Sequence, residues 1–494
     1  MKLKIFNRYL IPFLLGSSSV VAFAPFYFYP VIFLTITGLL FVITSTGSAA
    51  TKSMMFGSGF FITGIYWIYI CLQKFGGMPS SMALIATLVF CLFLALFFLP
   101  FSLFKENKNS IFLLPAFFTL VELLRSFIFT GFPWLSIGYT QVPDSPLIGY
   151  LPIIGIHGIS FLVLLSSVLI FQLFQKNSKK IYLLIFLMII WGTGQYLKSI
   201  EWSKSKGGLV DVSLIQGNIS QDKKWNKDMV EESLDHYKKL ILNTNASLIV
   251  LPETSMPIEF NKIPRRFMEE IKSHLINING HVILGAIETG YYNSAFLIGK
   301  NLEQVYRKNH LVPFGEFIPF EKYLGYIYKN WLNIPFNSLK RGQEKSVSLF
   351  KVNELSYAIN ICYEDVFGNE IAWHDKYEGE PDILVNLSND AWYGRSIAAD
   401  QHLQISQAIA IENKKMMIRS TNTGVTAFIA RNGEVLKKLP QFSSGELRYE
   451  VQGYTGATPY MLFNNFIIYF LCISILLVSF ISRKFSFFKK LIFK

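Results

Sequence analysis

The sequence predicts a polytopic α-helical membrane domain, then an α/β domain outside the cytoplasm, then one returning helix. Three observations predict it. Hydrophobic residues make up 51% of the 494 residues and 46 of them are Phe, a share above that of soluble proteins. Apolar runs near the length of a bilayer crossing crowd the first 200 residues and recur once near the C-terminus. From about Lys198 to Pro459, apolar residues come instead in runs of four to eight, separated by Gly, Pro, Asn and charged clusters.

The runs read as spans are Tyr9–Ala24, Phe28–Thr46, Met54–Leu72, Met82–Leu103, Ile111–Phe129, Ile153–Phe174, Ile181–Leu197 and Phe463–Ile481. The first is short and follows Lys2, Lys4 and Arg8, as in a signal peptide, but a second run follows at once through "PFYFYP", which favours a retained helix. Eight crossings place both termini on one side. That side carries Lys52, Lys105, Lys108, Lys176, Lys179, Lys180 and both basic ends, whereas the short opposite loops hold Lys74. An excess of Lys and Arg marks the cytoplasmic face. These segments hold 14 basic residues and one acid, Glu106, and so account for the whole net charge of +13. The basicity is therefore topological and indicates no nucleic-acid partner. The aromatic stretches "FYFY" (26–29) and "FPWLSIGY" (132–139) read as interfacial belts. Glu122 and Arg125, three residues apart inside the fifth run, are costly at membrane depth unless satisfied, and read as an intramembrane ion pair or, less strongly, a headgroup site.

Seven crossings put the next domain, 201–459, outside the cytoplasm, and the eighth helix with a basic tail occupies 460–494. Strands are expected at 210–216, 246–253, 281–288, 293–299, 356–364, 382–389 and 424–433, with helices at 228–245 and 399–415. Near-continuous apolar strands alternating with amphipathic helices indicate sheets covered on their faces. The sequence contains neither a phosphate loop nor a dinucleotide glycine fingerprint, so no cofactor is expected. The seven histidines lack metal-ligand spacing, and no metal site is expected.

Three stretches end an apolar strand, or a turn near one, in reactive groups: "LIVLPETSMP" with Glu253, "VYRKNHLVPFGEFIP" with Lys308 and Glu316, and "INICYEDVFG" with Cys362, Tyr363 and Glu364. Of four cysteines, Cys71, Cys91 and Cys472 lie in membrane runs, leaving Cys362 in a polar setting with no disulfide partner. A cysteine ending a strand is often a small core hydrophobe. Carboxylates directly after it suit a core poorly and a nucleophile well. Glu253, desolvated beside an apolar strand, suits the removal of a thiol proton. Lys308 suits an oxyanion, and a nearby cation would lower the thiol pKa. His310, two residues from Lys308 and on the same face of any strand, competes with Glu253 as base, and His402 also invites a Cys-His pairing.

In this order the three stretches resemble the nitrilase (carbon-nitrogen hydrolase) superfamily, whose Glu-Lys-Cys triad sits on an αββα sandwich. The sequence is most similar to that superfamily's integral membrane branch, the apolipoprotein N-acyltransferases, over essentially the whole chain. Further shared stretches are "FTGFPWLSIGYTQ" (129–141), "QGNISQDKKW" (216–225), "NLSNDAWYG" (386–394) and "RSTNTGVTAFI" (419–429); the tract 334–352 matches poorly. The resemblance implies an extracytoplasmic nitrilase-like αββα domain on the bacterial inner membrane. It implies Glu253 as base, Lys308 as oxyanion stabiliser and Cys362 as nucleophile. Glu316, Tyr363 and Glu364 match positions needed for activity, and Trp225 matches a tryptophan near the acyl site. The implied reaction moves a fatty acyl chain from a membrane phospholipid to Cys362 as a thioester. The α-amine of a diacylglyceryl-cysteine at a lipoprotein's N-terminus then receives it, with a monomer and no cofactor as the expected machinery. A membrane-tethered amidase and a non-catalytic scaffold of the same fold stay open from the residues alone.

Overall fold

A computed structural model describes residues 2–108, 110–176, 179–224, 227–300, 303–319, 322–323, 325, 338–342, 349–372 and 379–492. The chain divides into two compact units: Met1–Tyr66 with Leu84–Ile200 and Phe463–Lys494, and Trp67–Ala83 with Glu201–Leu462.

The first unit is helical. Ser80–Asn107, Pro146–Leu173 and Lys180–Leu197 are long and apolar enough to cross a bilayer, and Arg8–Ala22, Pro30–Thr44 and Phe466–Ser482 are shorter apolar helices. The predicted run Met54–Leu72 is not one helix: Ala49–Gly64 belongs to the first unit and Trp67–Phe75 to the second, and the pair counts as a span only if taken as one broken element. In lipid, burying apolar surface does little to join helices, so close packing does the work. A Cβ on Gly16 would lie 2.0 Å from the Phe56 carbonyl oxygen, and one on Gly59 2.1 Å from that of Phe13. Helices Lys2–Ser19 and Ala49–Gly64 therefore touch backbone to backbone. Beside this contact Phe56, Phe60, Phe98, Phe101 and Phe118 pack in a continuous edge-and-face cluster with centroids 5.1–6.3 Å apart.

The charged pair of Leu113–Arg125 serves the irregular segment that follows it. Glu122 accepts from the Ile137 N–H (2.8 Å) and faces His157 Nδ1 (3.2 Å), while Arg125 donates to the carbonyls of Phe132 (2.7 Å) and Trp134 (2.6 Å). Non-helical backbone at membrane depth needs such internal partners. Trp134 and Tyr139 are buried, so "FPWLSIGY" is no interfacial belt, unlike the exposed Phe26 and Phe28.

Among the described residues the second unit holds two mixed sheets. In the first, β1 (Lys204–Gln216), β2 (Leu248–Val250) and β4 (His281–Glu288) run parallel, and β13 (Gly445–Thr455), β5 (Tyr292–Ile298) and β6 (Glu303–Arg307) extend it antiparallel, with β3 (Met256–Glu259) pairing on β4. In the second, β8 (Leu355–Ile361), β9 (Ile383–Ser388) and β10 (Met416–Thr421) run parallel, edged antiparallel by β7 (Phe350–Val352), β11 (Ala427–Ile429) and, beyond β11, β12 (Val435–Lys438). Strands β2, β9 and β10 are buried throughout; β2 is wholly apolar, while β9 and β10 also bury Asn386, Ser388, Arg419 and Ser420. One core joins the sheets, with Leu214, Val250 and Leu297 from the first meeting Tyr357, Ile359 and Ile418 from the second. A second core packs Ile249, Leu284 and Phe296 under the helices Lys227–Asn243 and Arg265–Asn277.

Candidate active site

The parallel strands of both sheets end where the reactive stretches begin, the usual place for a site in an α/β domain. Glu253 follows β2 in a tight turn, Lys308 follows β6 directly, and Cys362 follows β8 as the first residue of a 3₁₀ turn, Cys362–Val366. The expected strand 356–364 thus ends at Ile361. Cys362 has φ of 55°, a left-handed value uncommon for a side-chain-bearing residue and frequent at functional sites.

Glu253, Lys308 and Glu316 share one cluster with Asn293. Lys308 Nζ donates to Glu316 Oε1 at 2.9 Å and to Glu253 Oε1 at 3.4 Å. Asn293 Nδ2 donates to the same two oxygens, at 2.8 Å for Glu253 and 3.0 Å for Glu316. Two donors and two acceptors therefore close a ring. Glu316 is fixed in turn by the Val312 N–H on its Oε2 at 2.8 Å. Lys308 is 1% exposed, and burial alone would lower its pKa; Glu316 and Glu253 outweigh that and keep it above the ordinary lysine range, a charged group.

Glu364 ties this cluster's strand to the cysteine's. Its carboxylate accepts from the backbone N–H of Asn309 (2.7 Å), His310 (3.0 Å) and Ile361 (2.7 Å) and from the Tyr306 hydroxyl (2.7 Å). The residues flanking Lys308 and Cys362 are thereby clamped by one side chain. Tyr363 is buried and packs edge-on against Phe367.

The thiol is held neutral. Burial raises the Cys362 pKa well above the thiol range, Glu253 and Asp390 raise it further, and Lys308 offsets this only in part. The nearby cation does lower the thiol pKa as expected, but two carboxylates and the loss of water outweigh it. A buried neutral thiol beside a carboxylate can give up its proton as it attacks.

The histidines serve other ends. β6 stops at Arg307, so Lys308 and His310 share no strand face; His310 Nδ1 lies 2.9 Å from Glu370 Oε1 and its ring stacks on Phe367. His402 lies between two carboxylates, Nε2 at 2.6 Å from Asp365 and Nδ1 at 2.8 Å from Asp390, and Arg419 donates to both acids. This cluster underlies the cysteine: Ser388 Oγ donates to Asp390 Oδ1 and also reaches the thiol, and Asn386, bonded by Arg419, donates to the Cys362 carbonyl at 3.3 Å. Among the described residues no group of three His, Cys, Asp or Glu side chains has the geometry of a metal site. Trp225 lies outside the described residues.

Two sequence models match the chain: the apolipoprotein N-acyltransferase N-terminal domain over residues 15–169 and carbon-nitrogen hydrolase over 211–460. Relatives named apolipoprotein N-acyltransferase include one from Nitrosomonas europaea, 40% identical over 96% of both chains. Another, from Haemophilus influenzae, is 34% identical over 98% of both, and one from Chromobacterium violaceum is 33% identical over 94% of this chain and 92% of its own. The chain belongs to the apolipoprotein N-acyltransferase family.

As an apolipoprotein N-acyltransferase it is an enzyme of acyl transfer. Asn293 and Asp390 were not singled out in the sequence. Asn293 was visible only as the start of an apolar strand, and Asp390 sat inside "NLSNDAWYG", a stretch that gives no role to a particular residue.

Proposed function

We propose that the protein moves a fatty acyl chain from a membrane phospholipid to the α-amine of the N-terminal diacylglyceryl-cysteine of apolipoproteins, in two steps through Cys362. In the first step the Glu253 carboxylate takes the Sγ proton while Sγ bonds to the ester carbonyl carbon. The ester C–O bond breaks, and the proton passes to the departing lysophospholipid oxygen. In the second, the neutral amine attacks the thioester, the C–S bond breaks, and an amine proton passes through Glu253 to Sγ. Lys308 faces the oxyanion in both steps, and Glu316 and Glu364 hold the groups that carry it out. Tyr363 places a backbone N–H beside the same oxygen, and Trp225 borders the acyl chain.

The observation that carries this reading is the ring of Glu253, Lys308, Glu316 and Asn293 at one set of strand ends, with the thiol coupled electrostatically to Glu253 and Lys308. The remaining parts rest on charge, hydropathy and the family resemblance, with a monomer taken as the default. Residues 1–200 form seven spans, 201–459 an αββα sandwich on the periplasmic face, and 460–494 an eighth span with a basic cytoplasmic tail. Both termini lie in the cytoplasm of a bacterial inner-membrane protein that works as a monomer. Excluding bulk water limits hydrolysis of a thioester, and two substrates carried by one bilayer meet in one plane.

The test is a synthetic diacylglyceryl-cysteine peptide incubated with purified protein and phospholipid vesicles and followed by mass spectrometry. One added acyl group on the peptide's amine is expected. Ammonia release from small amides with no acylated peptide would assign an amidase instead, and normal acylation by Cys362→Ala would remove the thiol from the reaction.

A further inference from the structure

The ring around Lys308 leaves a second buried lysine unexplained. Lys224, the last residue of the short helix Gln221–Lys224, is 1% exposed and donates from Nζ to Thr254 Oγ1 at 2.6 Å and to the Glu253 carbonyl oxygen at 3.2 Å. Both acceptors are neutral, and a buried ammonium with neutral acceptors is costly. The turn that it grips is itself unusual. Thr254 has φ of 46°, a strained value for a β-branched residue, and the turn presses on β4 so closely that a Cβ on Gly285 would lie 2.5 Å from the Thr254 nitrogen. Lys224 therefore acts on the backbone that presents Glu253, whereas Lys308 is a partner of its carboxylate. Burial brings the Lys224 pKa down to about 8, against the Glu253 carboxylate and the thiolate form of Cys362, both of which favour the ammonium.

We propose that Lys224 is a positioning residue of the acyl transfer: it clamps the Glu253–Thr254 turn and adds a positive charge, beside those of Lys308 and Arg419, to the field in which the Cys362 thiol ionises. The inference rests on the reading of Cys362 as nucleophile. Around that thiol the charged and titratable groups are Glu253, Lys308 and Asp390, with Arg419 and Tyr393 also coupled to it; Lys224 joins them as a cation that titrates near neutrality. Below about pH 8 the lysine is charged and favours the thiolate; above it the charge is lost and so is the help.

Alkylation of Cys362 by iodoacetamide, followed at the peptide level in the full-length protein in detergent, reads this without any acyl donor. Wild type, Lys224→Met and Lys224→Arg are compared from about pH 6.5 to 9.5, with near-ultraviolet circular dichroism to confirm folding. At about pH 7 the wild type reacts about tenfold faster than Lys224→Met, the effect of one pKa unit on the thiol. That advantage shrinks toward one as pH passes through about 8. Lys224→Arg, charged throughout, keeps its advantage over the whole range. A wild-type to Lys224→Met ratio that is flat with pH, or an Arg variant as slow as the Met variant, would overturn the proposal. If Lys224→Met does not fold, the wild-type to Lys224→Arg ratio decides, and it must fall as pH rises through about 8. An acyl-enzyme that forms on Cys362 while alkylation ignores Lys224 would remove this role and leave the two-step reading standing.

Discussion

Asn293 donates to the oxygen of Glu253 that faces Lys308, and Glu316 holds both donors to that oxygen, Asn293 and Lys308. Replacing Glu316 by Gln takes one carboxylate from Lys308 and leaves Glu253 to hold the ammonium alone. Glu253 then pairs more tightly with the lysine and becomes a weaker base, so kcat for peptide acylation falls about tenfold to a hundredfold with little change in KM. Steady-state kinetics of Glu316→Gln check this. Glu253→Gln removes the base itself and costs about a hundredfold or more in the rate of acyl-enzyme formation. The buried cluster below the thiol predicts a stability effect. Burial opposes the Asp390 charge, but Arg419 and His402 outweigh it and depress the pKa; the reverse shift, upward, holds for His402, where burial and Arg419 are outweighed by Asp365 and Asp390. The Asp390 contribution is thus present above about pH 4 and lost as pH falls below it, and that of His402 is present below about pH 6.5 and lost as pH rises through its folded value. Asp390→Asn leaves buried cations short of a partner and costs about 3–5 kcal/mol above about pH 4, a difference in thermal-unfolding stability that narrows as the pH falls below that value. The cysteine and glutamate were legible because each ends an apolar strand, whereas the lysine, after the polar strand β6, was legible through the stretch "VYRKNHLVPFGEFIP". The His402 cluster was not, since its acids and bases lie far apart in sequence and meet only through the fold.

At the scale of elements, two glycine contacts hold surfaces together and give sharp expectations. Gly285 lets β4 lie against the Glu253 turn, where a Cβ would also come within 2.7 Å of the Pro252 carbonyl oxygen. Gly285→Ala must displace that turn, so acyl-enzyme formation slows more than tenfold while the unfolding midpoint falls by only a few degrees. A variant with full activity would contradict the placement of the base by this contact. Gly59→Leu, by contrast, separates Lys2–Ser19 from Ala49–Gly64 and lowers the yield of folded protein from membranes without touching the thiol's environment. The central strands β2, β8 and β9 were legible as apolar runs. β10 was not, because "MMIRST" places Arg419 and Ser420 in the middle of the core, where the charge cluster satisfies them. β13 alternates exposed and half-buried residues along the sheet edge, and its polar positions hide it among loops. The helix Ala398–Asn413 was found by its length, but its polar residues face inward to the cluster and not to solvent, which periodicity alone does not reveal.

Over the whole molecule the charge separates: the apolar unit carries the excess of Lys and Arg, and the second unit is near balance. The membrane unit was read as eight apolar runs, and what the runs did not disclose is their breakage: helices of 13 to 16 residues, and an irregular segment stabilised by Glu122 and Arg125, replace some of the uniform spans. Such breaks depend on partners contributed from elsewhere in the chain, which hydropathy does not count. The two units make one enzyme only if the thiol meets a lipid. The central claim is therefore a fatty acyl thioester on Cys362, and intact-mass measurement of the purified protein after incubation with phospholipid vesicles tests it most directly. The expected result is a mass increase of one fatty acyl group that is absent in Cys362→Ala and is discharged by a diacylglyceryl-cysteine peptide. An unmodified mass under conditions in which that peptide is acylated, or the same increase in Cys362→Ala, would contradict it.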